Sequence, residues 1–420
     1  MTSLLVALVF IANVSLAARI YVVNSLDESL GWADTETGES HPQAATLGNL
    51  ANHLDVDGNR IFVVNSGLGT LQIIDRLTLQ TIDEFAVNGA VNPYAAAVLD
   101  EQRVAVTGLL SGTLSVLYID SGIADTVFVT GISPQAVHRF GDQIYVLNTG
   151  VDFPEYHQGT LKRYDLETYE LVDSISVGIN PQDMLVVDDE IHVLCTGNYL
   201  DTFGTVEIRG METLELDTVL HVGGSPGAFS SDGSTVYIAA GGWAGSGRIF
   251  RYDVGSRTIL NDDSNPISCG TGASDIISLP DGGFAVSCFV SATVEHRTSS
   301  GELQREFLMS AGTGAIDMFE LPSYSEPVEV VPNSRAIVKA YPNPFNSVLI
   351  LEISGVNTAS AVDIVDISGR SVASLPVESG QDRVFWKPSN ASSYHVASGC
   401  YFARLRSPEQ GRPVKLLYIK

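Results

Sequence analysis

Short runs of β-branched and aromatic residues recur along residues 20–321, and Gly, Asn, Asp or Pro separates each run from the next. Such runs predict β-strands, because the intervening turn residues break every window long enough for a helix. The most regular runs recur every 40–48 residues, and each ends in a small or amide residue. They are 20–24, 61–65, 104–108, 144–148, 191–195, 236–240 and 284–288.

One repeat unit contains four predicted strands, at 61–65, 71–75, 81–87 and 94–99. Seven units of four short strands predict an all-β, seven-bladed β-propeller. A six-bladed ring is the alternative, if the divergent first unit is not a blade. The last innermost strand, 315–321, has no partners after it and should complete the blade begun by residues 20–45, which removes a free sheet edge.

Two segments carry a resemblance to a known repeat. IFVVN-SGLGTLQIIDRLTLQTI begins at residue 61, and IYVLN followed by GTLKRYDLETYELVDSISVGINPQD begins at residue 144. Both resemble the YVTN-type surface-layer propeller repeat, which implies a seven-bladed propeller of the kind carried by exported proteins. The resemblance is informative about fold and not about function, because propellers include both binding modules and enzymes.

The two ends of the chain differ from this repeat. Residues 1–17 have an apolar run from Leu4 to Val14, then Ser15-Leu16-Ala17, which is typical of a signal peptide although Lys and Arg are absent. The run is too short to span a bilayer, and no later segment is long and apolar enough. Prolines and serines predict a linker at 322–338, so the propeller is expected at 18–321 and a second domain at 339–420.

Charge separates these two domains. The chain has 49 acidic and 23 basic residues, a net charge of -26. Residues 333–420 carry 10 basic and 6 acidic side chains, or +4, which leaves -30 for the remainder. A protein this acidic repels phosphate backbones and anionic lipids, so nucleic acid and membrane surfaces are excluded as expected partners.

The last domain reads as short strands, at 348–353, 361–367, 370–375, 383–387, 400–406 and 414–419, which predict a small Ig-like β-sandwich. Its motifs resemble the type IX secretion C-terminal sorting domain and also the Ig-like domain of flagellar hook-capping proteins. The residues that carry this resemblance are Tyr341, Pro342, Asn343, Pro344, Gly369, Arg370, Gly399 and Tyr401. The resemblance implies recognition by the outer-membrane secretion machinery, and a secreted or cell-surface protein exported through the periplasm of a Gram-negative-type bacterium. Cys400 departs from the pattern, because that family usually has an aliphatic residue there.

Three long loops are predicted on one face of the propeller, at 149–159, 196–204 and 241–247. They combine aromatic side chains with acidic or polar ones, which suits contact with a protein or a glycan. The residues of interest are Asp152, Tyr156, His157, Tyr199, Asp201 and Trp243.

Acidic residues also recur near the start of the innermost strands. Alignment of the turns places His53, Asp183, Asp275 and Asp317 at equivalent positions, with Asn24, Asn65 and Asn148 expected at the same end of the channel. Carboxylate and amide oxygens could hold calcium, with Asp183, Asp275 and Asp317 as the metal ligands. The alternative is that these side chains bind backbone turns or central waters, as structural networks do.

The remaining chemistry favours binding over catalysis. The chain has no G-x-S-x-G, P-loop or HExxH motif, so it offers no catalytic residues, and no cofactor beyond the calcium is indicated. Four cysteines include no CxxC pair. The repeat predicts Cys269 and Cys288 at one end of one blade, where a disulfide is a candidate. Two functions follow: an exported propeller that binds a surface protein or glycan, or a metal-dependent hydrolase or lactonase that uses the channel acids.

Overall fold

The computed structural model describes residues 17–241, 245–321, 337–341, 343–354, 360–366, 370–378, 381, 383–388, 396–406 and 414–419. The chain divides into two compact units, residues 1–323 and 324–420. Every regular element in the described ranges is a β-strand. Within these ranges, no helix is long and apolar enough to cross a membrane. The predicted signal peptide at 1–17 lies outside the described residues except for Ala17, and most of the predicted linker at 322–338 also lies outside them.

In the described residues, the strands of the first unit form seven antiparallel sheets of four or five strands and one two-stranded hairpin. The first sheet contains β1 (Ala18–Asn24), β2 (Ser29–Asp34) and β3 (Ser40–Thr46). The second contains β4 (Ala51–Asp57), β5 (Arg60–Asn65), β6 (Thr70–Asp75) and β7 (Thr81–Ala86). The third contains β8 (Pro93–Val98), β9 (Arg103–Gly108), β10 (Thr113–Tyr118) and β11 (Ala124–Val129). The fourth contains β12 (Pro134–Phe140), β13 (Gln143–Asn148), β16 (Gln158–Asp165) and β17 (Leu171–Ile179). The fifth contains β18 (Pro181–Val187), β19 (Glu190–Cys195), β20 (Thr205–Gly210) and β21 (Leu216–His221). A small hairpin of β14 (Val151–Asp152) and β15 (Glu155–Tyr156) projects from the fourth.

The sixth sheet contains β22 (Pro226–Ser231), β23 (Thr235–Ala240), β24 (Gly247–Asp253), β25 (Ile259–Asn261) and β26 (Ile267–Cys269). The seventh contains β27 (Ala273–Ser278), β28 (Phe284–Cys288), β29 (Thr293–Arg297) and β30 (Leu303–Leu308). The last strand of the unit, β31 (Thr313–Glu320), pairs with β1 and so joins the first sheet. The sequence predicted this pairing between the two ends of the repeat region.

The first strands of the sheets follow one another in contact. The order is β4, β8, β12, β18, β22, β27 and β31, and β31 contacts β4 again. Apolar side chains fill the space between successive sheets: Phe62 and Leu71 of the second sheet pack with Val104 and Val106 of the third. These side chains are fully buried, because each sheet faces another sheet on both sides.

Aspartates close several of the hairpins between the third and fourth strands. The Asp75 carboxylate accepts hydrogen bonds from the backbone N–H of Leu77 at 3.0 Å and of Thr78 at 2.8 Å. Asp165 does the same in the fourth sheet, and bonds to Thr168 lower the pKa of that carboxyl below its usual value. The repeated Asp therefore ends one strand and fixes the turn to the next.

The described part of the second unit contains two sheets. One has the order β32 (Ile337–Tyr341), β33 (Leu349–Ser354), β36 (Arg383–Trp386), and the other β35 (Ser371–Val377), β34 (Ser360–Asp366), β37 (Gly399–Leu405), β38 (Val414–Tyr418). Both sheets contribute to one buried core, in which Leu351 and Trp386 meet Ile364 and Leu416. Six of these strands lie within two residues of their predicted positions, and β32 had not been predicted.

Candidate functional site

A cavity of about 810 Å³ lies where the first strands of the seven sheets meet. Each of β4, β8, β12, β18, β22, β27 and β31 contributes residues to its lining. Because the strands in every sheet alternate in direction, the starts of these strands share one end with the hairpins that join second to third strands. We call this end the loop face.

The predicted acidic residues line the cavity at two depths. His53 pairs with Val64, and Asp183 with Leu194, one step into the strand pair. Asp275 occupies the matching position opposite Ser287. These three positions agree with the sequence alignment of the turns.

Asp317 was aligned wrongly. It pairs with Tyr21 of β1, and the matching pair in the second sheet is Asp55 with Phe62. Asp317 therefore lies two residues deeper than His53, level with Asp55. The turn before β31 has no proline to mark the start of the strand. Thr313, opposite Asn24, holds the place that Pro181 holds opposite Cys195.

The carboxylates connect neighbouring sheets through backbone hydrogen bonds. Asp317 Oδ2 accepts the Val56 N–H of the next sheet at 2.7 Å, and its Oδ1 accepts the Met318 N–H at 2.8 Å. Asp275 Oδ2 accepts the Ile316 N–H at 2.9 Å. These bonds satisfy amide groups that β pairing leaves free, so each carboxylate acts as a clamp between two sheets.

Two further clamps were not predicted. Asp55 Oδ2 accepts the Val98 N–H at 3.1 Å, which joins the second and third sheets. Ser230 Oγ accepts the Ser278 N–H at 2.9 Å, which joins the sixth and seventh. Asp183 reaches the Phe229 N–H at 3.5 Å and lies 3.4 Å from His138 Nε2.

Burial changes the protonation of this set. It raises the pKa of Asp275 and of Asp317 to about 7, and backbone hydrogen bonds oppose that rise in both. Burial also lowers the pKa of His53, so the neutral ring is favoured. His53 Nε2 lies 2.9 Å from the Ala96 carbonyl and donates to it.

The acids do not assemble as a metal site. In the part of the chain that the structure describes, no group of three His, Cys, Asp or Glu side chains is arranged to hold a metal ion. Both oxygens of Asp275 and both oxygens of Asp317 accept backbone N–H groups, which leaves few lone pairs for a cation. The geometry favours the structural alternative over calcium binding by Asp183, Asp275 and Asp317.

The three asparagines were expected in the channel, and the structure places them inside the sheets. Asn24, Asn65 and Asn148 are buried and are not part of the cavity lining. Asn65 Oδ1 accepts the Gly48 N–H at 3.1 Å. Asn148 Oδ1 accepts the Thr130 hydroxyl at 2.9 Å. Each asparagine ends the second strand of its sheet and faces the loop that precedes that sheet, not the ring axis. Its side-chain amide therefore holds that loop to the sheet.

Two of the predicted loops meet on the loop face. Tyr156 and Tyr199 lie edge to face with ring centroids 6.1 Å apart. Phe153 at the tip of the first loop is 83% exposed, and Leu200 in the second is 81% exposed. Asp201 accepts a hydrogen bond from Asn198 Nδ2 at 2.7 Å, so it shapes its own loop.

The other predicted loop residues lie around this aromatic contact. Asp152 is exposed in β14, and His157 Nε2 lies 3.4 Å from Glu155. Trp243 lies outside the described residues. The loops at 149–159 and 196–204 therefore present aromatic and apolar side chains on the loop face, and Tyr199 among them lines the cavity.

Three polar residues of the cavity lining were not predicted from the sequence. Tyr94, Gln135 and Gln182 directly follow the proline that opens β8, β12 and β18. All three line the cavity, and Tyr199 reaches it from its loop. The proline itself was the signal, because the residue after it is in a bulge and points to the ring axis.

The prediction that Cys269 and Cys288 share one blade was wrong: Cys269 lies in the sixth sheet and Cys288 in the seventh, because β26 pairs with β24. The two are neighbours and free thiols. A hydrogen bond with Cys288 and burial raise the pKa of the Cys269 thiol. We predict that the protein recovered after export carries a disulfide between them, since thiols in contact oxidise in an oxidising compartment. Peptide mapping without reductant should find these two cysteines linked, with Cys195 and Cys400 alkylated after denaturation. Alkylation of all four would contradict the prediction, and protein made in a reducing cytoplasm is the control.

The described motif residues of the second unit have structural partners. Asn343 Nδ2 donates to the Lys415 carbonyl and its Oδ1 accepts the Leu417 N–H, both at 2.8 Å. Arg370 Nε lies 3.0 Å from Asp366. The Tyr401 hydroxyl donates to the Ala397 carbonyl at 2.7 Å.

The other five motif residues show fewer contacts. Pro342 and Gly369 lie outside the described residues. Tyr341 ends β32, and Gly399 begins β37. Pro344 follows Asn343 in the segment that leads to Phe345, whose backbone bonds to the last strand.

Comparison with known proteins separates the two units. Residues 339–420 match the secretion system C-terminal sorting domain, and this match supports type IX sorting to the cell surface or the extracellular space. No curated protein matches the chain.

Solved structures resemble this chain in fold. A functionally unknown protein from Desulfotomaculum acetoxidans has a TM-score of 0.57 at 16% identity, over 72% of this chain and 99% of that one. Hydrazine synthase of Kuenenia stuttgartiensis has a TM-score of 0.53 at 13% identity, over 65% and 96%. U3-55K has a TM-score of 0.51 at 10% identity, over 72% and 88%. At these identities the likeness concerns the fold alone, which is all-β and propeller-like.

Proposed function

We propose that this chain is an exported, non-catalytic binding protein that contacts a partner with the loop face of its first unit. The seven sheets would be the blades of a seven-bladed propeller of the YVTN type at 18–321, carried by an Ig-like sorting domain at 339–420. The signal peptide at 1–17 and the linker at 322–338 complete this organisation. The partner belongs to the cell surface or to its surroundings.

The observation that carries the proposal is the position of the cavity. The cavity reaches the loop face, where Tyr199 lines it, and the two loops there also expose Phe153 and Leu200. Exposed side chains of this kind, grouped on loops of a rigid scaffold, are typical of binding surfaces. The acids that a hydrolase would need are instead bound to backbone N–H groups between sheets.

A pair of photo-crosslinking variants tests the proposal. Phe153 and Leu77 are both exposed, at 83% and 69%, and Leu77 lies in the β6–β7 hairpin at the opposite end of the sheets. A benzophenone side chain, which inserts into C–H bonds of proteins and glycans, replaces one residue or the other in the full chain on producing cells. We expect an adduct from position 153 and none from position 77. Equal adducts, or none from position 153, would contradict the proposal.

A further inference from the structure

The second residues of the seven inner strands surround the entrance of the cavity. We call these residues the mouth ring; they are Asn52, Tyr94, Gln135, Gln182, Gly227, Ser274 and Gly314. Five of the seven carry a neutral side chain that can donate and accept hydrogen bonds, and none carries a charge. The acids lie deeper in the strands, where backbone N–H groups occupy their oxygens.

Three neighbouring residues of the mouth ring are linked by hydrogen bonds. Gln135 Nε2 donates to the Tyr94 hydroxyl at 3.3 Å, and it also bonds to Gln182 Oε1. Gln182 Nε2 in turn donates to Asn180 Oδ1 at 2.6 Å. This chain of bonds fixes three amide and hydroxyl groups at the cavity wall, so a ligand would meet a preorganised polar surface.

The opposite side of the mouth ring leaves space. A Cβ atom added to Gly227 would meet no other atom within 4 Å, and one added to Gly314 would meet only backbone oxygens beyond 3.5 Å. Neither position is too crowded for a larger side chain. Their effect is to widen the cavity on the side that faces Tyr94 and the glutamines.

Asn52 supplies a group without a protein partner. Among the described residues, its Oδ1 is a buried acceptor with no hydrogen bond. A buried acceptor without a hydrogen bond destabilises the folded protein. A ligand that donates a hydrogen bond to Asn52 Oδ1 would remove this penalty and bind more tightly.

We infer that the mouth ring binds a neutral saccharide, a proposal that rests on the binding function proposed above. Sugar hydroxyls both donate and accept, as the amides and the Tyr94 hydroxyl do, and adjacent hydroxyls match neighbouring amides. The rings of Tyr94 and Tyr199 offer flat apolar surfaces for the C–H faces of a sugar. A cavity of about 810 Å³ lies in the size range of small-ligand sites.

An array of neutral, acidic and amino-sugar glycans, probed with the full chain, tests this inference. We expect binding to at least one neutral glycan, and a Kd by calorimetry that rises at least tenfold in Gln182→Met and in Gly227→Leu. The first removes an amide at similar volume, and the second fills the open side of the mouth ring. Gln102→Met, an exposed glutamine in the hairpin at the opposite end, is the matched control and should bind as the unchanged protein does.

The other outcomes separate this inference from the proposed function. Binding restricted to charged glycans, or binding that both variants leave unchanged, would overturn the saccharide assignment. An adduct at position 153 that is a protein, with no glycan bound, would also overturn it and would leave the binding function intact. Absence of both an adduct and a bound glycan would overturn both.

Discussion

Replacement of Asp317 by alanine should lower the free energy of unfolding by about 2–3 kcal/mol, because it leaves the half-buried Val56 N–H without its acceptor. The loss falls at the junction where the last inner strand meets the first complete repeat, between β31 and β4. Chemical denaturation of the full chain at pH 6 measures it. A change below about 0.5 kcal/mol, the usual effect of a surface substitution, would show that the clamp is not important for stability.

Asp317→Asn is the matched control, and it separates hydrogen bonding from charge. Its amide oxygen can still accept the Val56 N–H, so the free energy of unfolding at pH 6 should stay within about 1 kcal/mol of the unchanged protein. If both substitutions destabilised equally, shape rather than the acceptor would be responsible.

The same residue gives the stability of the chain a pH dependence. The pKa of Asp275 and Asp317 is raised to about 7 in the folded protein, from 3.8 for an ordinary aspartate. The folded state therefore binds more protons than the unfolded state between about pH 4 and pH 7, and stability falls as the pH rises through that window. Between pH 6 and pH 8, the free energy of unfolding should fall by on the order of 1–2 kcal/mol per carboxyl, and Asp317→Asn should remove its share.

Deletion of residues 339–420 should abolish delivery to the cell surface and the medium, because these residues match the sorting domain. The truncated chain should accumulate inside the outer membrane as a folded, protease-resistant first unit. Fractionation with immunoblotting measures the distribution. Continued surface delivery of the truncated chain would contradict the sorting role.

Cys400→Val is the matched control for this deletion. Cys400 is a partly buried free thiol on β37, and valine restores the aliphatic character expected at that position. Delivery of this variant should equal that of the unchanged protein. A failure of both proteins would indicate that export depends on folding of the second unit in general.

Much of the fold could be predicted because the chain repeats. Four strands per repeat were predicted at 61–65, 71–75, 81–87 and 94–99, and the structure has them within two residues. The pairing of β31 with β1 followed from counting, since one strand was left at the end and one was missing at the start. In every repeat, the side chains that face the neighbouring sheet must be apolar. The pattern of apolar residues therefore predicts the strands in each repeat.

The depth of residues in the cavity was harder to predict. Asp317 was assigned the level of His53, because no proline marks the turn before β31. A bulge at the start of each inner strand adds residues that alternation does not reveal. The partners of the acids could not be predicted either, because Val56 lies 261 residues from Asp317 in the chain.

The central claim is that the channel acids hold the sheets together and that the protein binds rather than hydrolyses. Elemental analysis of the purified full chain, with thermal melts in the presence and absence of EDTA, tests this most directly. We predict no stoichiometric divalent metal and the same melting temperature under both conditions, since backbone N–H groups already occupy the oxygens of Asp275 and Asp317. Stoichiometric calcium, with a melting temperature lowered by EDTA and by Asp275→Ala to the same value, would contradict it.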